Sequence, residues 1–422
     1  MYNDDFTANI AVIPIDFHDI RLRLEYFMIY NKRNCYLCNV MRHYIITLLF
    51  ALIMASCGSD EPDVPAGVSR TVLVYIAGNN SLGSGWDERD IAEMERAVAA
   101  GALNGGRLLV YHADLRGNPV LGEITEDEGL KTIKEYDDGL SSVSIRAMKN
   151  VFDDMRAIAP AADYGLVLWS HASGWIDYGR TPETKVSKSW GIDGNYQMTI
   201  PDLAKALEGE QFSFIYFDCC FMGNIESLYE IRDAAPYIVA SPAETPLDGM
   251  PYDLNVECFF EKTPDLVKAA KNTFDSYDAL SGRSRSSTMA VYDMRHIGEV
   301  AKAVNAIMRQ NAQPSQGYVQ QQYGTSSFRD YFFDMTHYVR SLTSDARLLA
   351  DYDAAMAQFV IYNENTPQMS LSLPAIDLNN CHGVSCYIVD AETDSVLLPG
   401  HYDDLQWWND VVAPAFGFWQ ER

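Results

Sequence analysis

Two apolar runs in this chain each end in a side chain able to carry covalent chemistry. The first ends Leu168-Trp169-Ser170-His171-Ala172-Ser173-Gly174-Trp175, the second Tyr216-Phe217-Asp218-Cys219-Cys220-Phe221-Met222-Gly223. A thiol and an imidazole facing each other are what acyl transfer to sulfur requires. The thiolate attacks a carbonyl, and the imidazole protonates the leaving amine. Period-2 geometry separates the two thiols: Asp218 and Cys220 point to one side of an extended strand, Cys219 to the other. Cys220 also precedes a helix expected to open near Gly223, and a helix N-terminus favours a nearby thiolate. A lone His or a lone Cys after a strand is usually structural, so these residues alone leave the pair open.

The elements that must position them alternate. Strands are expected at 71–76, 108–111, 164–169, 212–217, 237–240 and 288–292, with a hairpin or pair of edge strands over 119–135. TVLVYI and YGLVLW are continuous apolar runs, as in strands buried on both faces. Helices are expected at 88–100, 143–158, 200–208 (capped by Thr199), 224–234, 264–280 and 296–310. This alternation predicts an α/β fold with a mostly parallel sheet covered on both faces. Ligands then bind beyond the carboxyl ends of the strands, where His171 and Cys220 fall. The tail from 312 reads as helices near 329–341 and 345–363, strands near 369–373 and 384–389, and a final helix near 404–413. It is a small second domain or a packed extension.

The blocks S-H-A-S-G-W (170–175), F-D-C-C-F-M-G (217–223) and A-S-P-A-E (240–244), leading to G-M-P-Y (249–252), resemble clostripain-like cysteine peptidases, relatives of caspases, gingipains and legumains. The resemblance runs from about 70 to about 295, more loosely beyond. It implies a caspase-like peptidase domain over 70–311, followed by the extension 312–422. It also implies a Cys/His dyad of Cys220 and His171, with the backbone N–H groups of Ala172 and Cys220 as oxyanion donors. Asp218 matches the acidic floor of the substrate pocket in Arg- or Lys-specific members, since a buried carboxylate selects a long cationic side chain. Asp248 and Glu244 are candidates for the pocket rim, with solvated loop charges as the alternative. Ala172 replaces the usual Gly and Cys219 the usual Ala. Arg180, Lys185 and Lys188 lie in a polar loop of the kind cut during self-activation; an ordinary surface loop is the other reading. No cofactor is expected to be required. Some relatives respond to calcium; Asp and Glu are plentiful here, no EF-hand loop stands in the sequence, and calcium stays open and unassigned.

The first 57 residues read as an address. Met41-Arg42-His43 precedes a twelve-residue apolar run, Tyr44–Ala55, which ends in Ala55-Ser56-Cys57-Gly58. This has the length of a signal-peptide core and resembles a lipobox, with Cys57 as the lipidated residue; an ordinary cleaved signal with a chance cysteine is the other reading. Met41 is then the initiator, and the stretch before it an over-extended gene start. Residues 58–69 form a polar tether. The expected location is the cell envelope, lipid-anchored to the outer membrane, periplasmic or surface-exposed.

The formal net charge of -26 argues against a nucleic-acid partner, which needs a basic surface. It favours solubility, the plainer reading, and would also draw in a peptide or protein substrate with basic residues. Eight cysteines show no dense disulfide framework; Cys381 and Cys386 are either a local bridge or two buried thiols. His112, near Asp114, builds no site. The expected function is a lipid-anchored endopeptidase cutting after Arg or Lys through a thioester. A catalytically silent peptide-binding lipoprotein and a transpeptidase are the alternatives.

Overall fold

The structure, a computed structural model, describes residues 68–137, 139–176, 189–310, 320–324, 331–371, 374–389 and 399–415. They fall in one unit, Pro62–Arg422; the unit Met1–Glu61 lies outside the described residues, as do Cys57, Arg180, Lys185 and Lys188.

The first half runs β1 (Thr71–Ala77), α1 (Trp86–Ala99), β2 (Arg107–Ala113), β3 (Val120–Thr125), β4 (Gly129–Glu135), α2 (Ile145–Ile158) and β5 (Tyr164–Trp169). A small hairpin, β6 (Trp190–Asp193) and β7 (Tyr196–Met198), precedes α3 (Ile200–Leu207), β8 (Phe214–Asp218), α4 (Ile225–Glu230) and β9 (Tyr237–Ala240). Then come α5 (Tyr252–Phe259), α6 (Leu266–Asp278), β10 (Thr288–Asp293) and α7 (Ile297–Met308). The tail adds β11 (Gln322–Gly324), β12 (Phe332–Asp334), α8 (Met335–Leu342), α9 (Ala346–Phe359) and β13 (Val360–Asn365). It ends in short strands β14 (Gln368–Met369), β15 (Ile376–Asp377) and β16 (Ser385–Cys386) and helical turns.

Nine strands form one sheet in the order β13-β10-β9-β8-β5-β1-β2-β3-β4. The central five, β9-β8-β5-β1-β2, run parallel, and the strands at both edges are antiparallel. The sequence explains the burial. All seven residues of β1 are buried, with Val72, Val74 and Ile76 facing one core and Leu73, Tyr75 and Ala77 the other. One core packs α1, α5 and α6 on the sheet, the other α2, α3, α7 and the tail. Thr199 caps α3, its hydroxyl accepting from Asp202 N at 3.2 Å.

Several boundaries differ from the sequence reading. The helix expected over 345–363 stops at Phe359, and Val360–Asn365 becomes a strand that extends the main sheet beside β10. The β-branched pair Val360-Ile361 suits a strand better than a last helical turn. Helix α5 follows Pro251, which cannot donate a backbone N–H and serves as a helix start. The helix expected over 224–234 ends at Glu230, the strand near 384–389 shrinks to β16, and of the strand near 369–373 Met369 lies in β14 while 372 and 373 lie outside the described residues. The final helix of 404–413 becomes a π-helical turn, Trp408–Val412, with both Trp407 and Trp408 buried. Cys381 and Cys386 are free thiols.

Candidate active site

Strands β5 and β8 are neighbours, paired through Trp169↔Asp218 at their carboxyl ends. His171 and Cys220 each lie two residues past that pair. They therefore leave adjacent strand tips at matched height, where neighbouring strands are about 4.8 Å apart. Alternation along β8 assigns the rest. Ile215 and Phe217 face one core, so Cys219 follows them and is buried there, 3% exposed. Burial pushes the Cys219 thiol well above its usual pKa. Cys220 stays partly exposed.

The chain turns sharply after Cys220. Phe221 adopts φ +59°, a left-handed conformation uncommon for a non-glycine residue. The loop 241–245 lines this turn: Phe221 N donates to Ala243 O at 2.8 Å and Gly223 N to Ser241 O at 2.8 Å. Thr245 N is 3.3 Å from Cys220 Sγ, an N–H donor aimed at the sulfur that stabilises negative charge there. The expected helix is present, one residue later than its expected start. It starts at Ile225, capped by Asn224, whose Oδ1 accepts from Ser227 N at 2.7 Å. Thr245 supplies its N–H to the sulfur from a separate loop. Phe221 is stacked on Phe332 of β12 at 4.3 Å, which ties the tail to the turn.

On the histidine side, His171 O accepts from Gly191 N and Ser173 N donates to Ser189 O, both at 2.9 Å. These bonds flank an antiparallel bridge between Ala172 and Trp190. In such a non-hydrogen-bonded pair the amide of Ala172 points away from the partner segment. Gly174 sits at φ +63°, and a Cβ there would lie 2.6 Å from Asn224 Nδ2 and 2.9 Å from Phe221 O. Glycine is what lets the two tip loops pack against each other.

Asp218 faces the core opposite to Cys219 and is 5% exposed. Its Oδ1 accepts from Met250 N at 3.1 Å, while its Oδ2 is buried without a hydrogen-bond partner. Burial raises its pKa to about 6; the Met250 N–H and the nearby Tyr252 hydroxyl pull the other way. The Tyr252 hydroxyl, close to the carboxylate, still makes no hydrogen bond of normal geometry. Gly249, at φ +61°, passes directly over the group; a Cβ would stand 2.8 Å from Oδ2. Beneath it, Asp90 of α1 accepts from Trp169 Nε1 at 2.7 Å, and its other oxygen is also unpartnered. Burial and the neighbouring Asp218 push Asp90 far above the ordinary carboxyl range. Several buried polar atoms without partners around one point are costly, about 1–3 kcal/mol each, unless something binds there.

Asp248 lies at the surface in an ion pair with Arg89. Glu244 is half-buried in the loop beside Cys220. His112 pairs with Asp87, at 2.7 Å, rather than with Asp114. Among the described residues no group of three or more His, Cys, Asp or Glu could hold a metal ion. The sequence reading gave no role to Thr245, Asp90 or the loop Asn79-Asn80-Ser81, and placed Gly249 only within the G-M-P-Y block. Of those without a role, only the loop carried a visible signal, a Gly- and Asn-rich stretch after a buried strand.

A parallel-centred sheet with a cysteine and a histidine on neighbouring strand tips defines a caspase-like cysteine peptidase. The model of the clostripain family matches residues 74–380, and the chain belongs to that family. It is similar to an inactive zymogen C11 protease from Parabacteroides distasonis: TM-score 0.71, 26% identity, 82% of this chain and 99% of that one. It is also similar to a secreted C11 cysteine protease from Bacteroides thetaiotaomicron in complex with an irreversible peptide inhibitor: TM-score 0.71, 28% identity, the same coverage. A search among curated proteins finds no match.

Proposed function

We propose that the protein is an endopeptidase that cuts after Arg or Lys through a Cys220/His171 dyad. Cys220 Sγ attacks the substrate carbonyl, and the N–H groups of Ala172 and Cys220 hold the oxyanion. His171 delivers a proton to the leaving amine, so that the C–N bond breaks and a thioester remains. Water, deprotonated by the same ring, then hydrolyses the thioester and restores the thiol. Asp218 is the floor of the pocket for the residue before the cut. Its unpartnered Oδ2 supports this reading most directly, because a buried acceptor without a donor suits an incoming guanidinium or ammonium. The inhibitor-bound relative, in which a peptide is the ligand, supports a peptide substrate.

The test is substrate profiling of the full chain on peptides varied at the residue before the cut. Cleavage confined to Arg and Lys is expected. A preference for apolar or acidic residues would overturn the pocket assignment, and peptide binding without turnover would favour the silent-binder reading. Product analysis with an added amine separates hydrolysis from transpeptidation. We further propose that Cys57 carries a lipid that holds the protein in the cell envelope. Cys57→Ser is expected to move it from the membrane to the soluble fraction; unchanged fractionation would sink that part.

A further inference from the structure

We infer that Ser81 is a positioning residue for His171, holding the ring from the side away from Cys220. This deepens the reading of His171 above and rests on it. Ser81 Oγ lies 2.8 Å from His171 Nε2. The strand order fixes what that contact means. β5, which carries His171, runs between β8, which carries Cys220, and β1, which leads into Ser81. The nitrogen that reaches Ser81 therefore reaches toward the β1 side, opposite to the sulfur. A dyad histidine with nothing behind it is free to rotate and to exchange tautomers. A hydroxyl at Nε2 restrains rotation whichever tautomer is present, because it accepts from a protonated nitrogen and donates to a bare one.

The loop that carries Ser81 is built to hold it still. Asn80 Oδ1 accepts from Leu82 N at 2.9 Å, opening a helical turn over Ser81–Ser84. Asn80 Nδ2 donates to Ala77 O at 2.8 Å and to Ile192 O at 2.9 Å. Asn79 Nδ2 donates to Asp193 Oδ1 at 2.5 Å, and Asp193 Oδ2 accepts from Ser142 N at 2.6 Å. Ser170 Oγ donates to Ala77 O at 2.7 Å, beside the histidine itself. The same 190–194 hairpin receives His171 O through Gly191 N. The backbone that carries Ser81 and the backbone of His171 are thus fastened to one hairpin, which brings the two side chains together.

When the ring carries both protons, Nε2–H donates to Ser81 Oγ while the other N–H serves the leaving amine. Losing that acceptor weakens the charged form of the ring. Ser81→Ala is expected to lower kcat about tenfold, the effect of one hydrogen bond to a charged group, with KM unchanged. The alkaline limb of its kcat/KM profile should move to lower pH, because the ring has lost an acceptor that favoured protonation. Ser81→Thr, which keeps the hydroxyl, should restore both. A fold defect would not give this pattern, since Thr would not rescue the pH profile. Equal activity and an unmoved profile in Ser81→Ala would overturn the proposal, as would equal losses in Ala and Thr.

A second measurement works even if the chain cleaves no peptide. In the Cys220→Ala protein, the ¹⁵N shifts of the His171 ring, assigned through His171→Gln, should change on Ser81→Ala and return with Thr. Unchanged ring shifts would sink the role of Ser81. Absent cleavage with changed shifts would fault only the endopeptidase reading.

Discussion

Cys220→Ala is expected to abolish peptide hydrolysis, by on the order of 10⁴–10⁶-fold in kcat, while Cys219→Ala keeps it. The two thiols are adjacent, yet their surroundings differ. Cys219 is buried in the core with Phe217 and Trp190, and its thiol is held in the neutral form by burial. Its removal leaves a small void and no change in the reacting groups. Cys220 is partly exposed, and an N–H from Thr245 is aimed at its sulfur. Among the described residues no other exposed thiol stands on this rim, so the alanine variant has no covalent route. The measurement is turnover of an Arg-terminated fluorogenic peptide, paired with iodoacetamide labelling mapped by mass spectrometry. Labelling should fall on Cys220 and slow when a peptide substrate occupies the site. Activity surviving in Cys220→Ala, or lost in Cys219→Ala, would reverse the assignment.

Much of this arrangement was legible in the sequence because strand chemistry is local. A buried parallel strand announces itself as a continuous apolar run, and TVLVYI and YGLVLW did so. Alternation then fixed which face each residue after β8 would take, and Cys219 and Asp218 fall on the faces it assigned. What escaped is what depends on long-range packing. Val360–Asn365 continues a helical pattern until a free edge at β10 offers it hydrogen bonds. Asp90 looks like any acid in an amphipathic helix; its burial follows from Trp169 and Asp218 meeting it from the sheet. Ser81 sits in a loop of Gly and Asn whose order comes from bonds to a hairpin more than a hundred residues away. No sequence period encodes such contacts. The start of the helix after Cys220 is the converse case: its cap, Asn224, is local, and the helix begins within a residue of where the sequence puts it.

Asp218→Asn is expected to lower kcat/KM for Arg- and Lys-terminated substrates by on the order of 10³-fold, with far less effect on a neutral residue at the same position. The magnitude is that of removing one partner of a desolvated charge pair. Asparagine keeps the acceptor for Met250 N and fits beneath Gly249, so the loop that covers the group is undisturbed. Only the charge goes. The same group sets a pH dependence. Its pKa in the free protein is raised to about 6 by burial, so the carboxylate that attracts a cation is present above that pH and protonated below it. Affinity for a basic substrate should fall as pH drops through 6, and a bound cation should pull that midpoint lower. In Asp218→Asn the Arg-over-neutral ratio should be small and flat between pH 5 and 8. The check is kcat/KM for paired Arg and norleucine peptides across that range in both proteins. A wild-type ratio that does not change with pH, or a variant that still prefers Arg by two orders of magnitude, would move the cation site elsewhere. Asp248 would then be the first place to look, once its ion pair with Arg89 is broken.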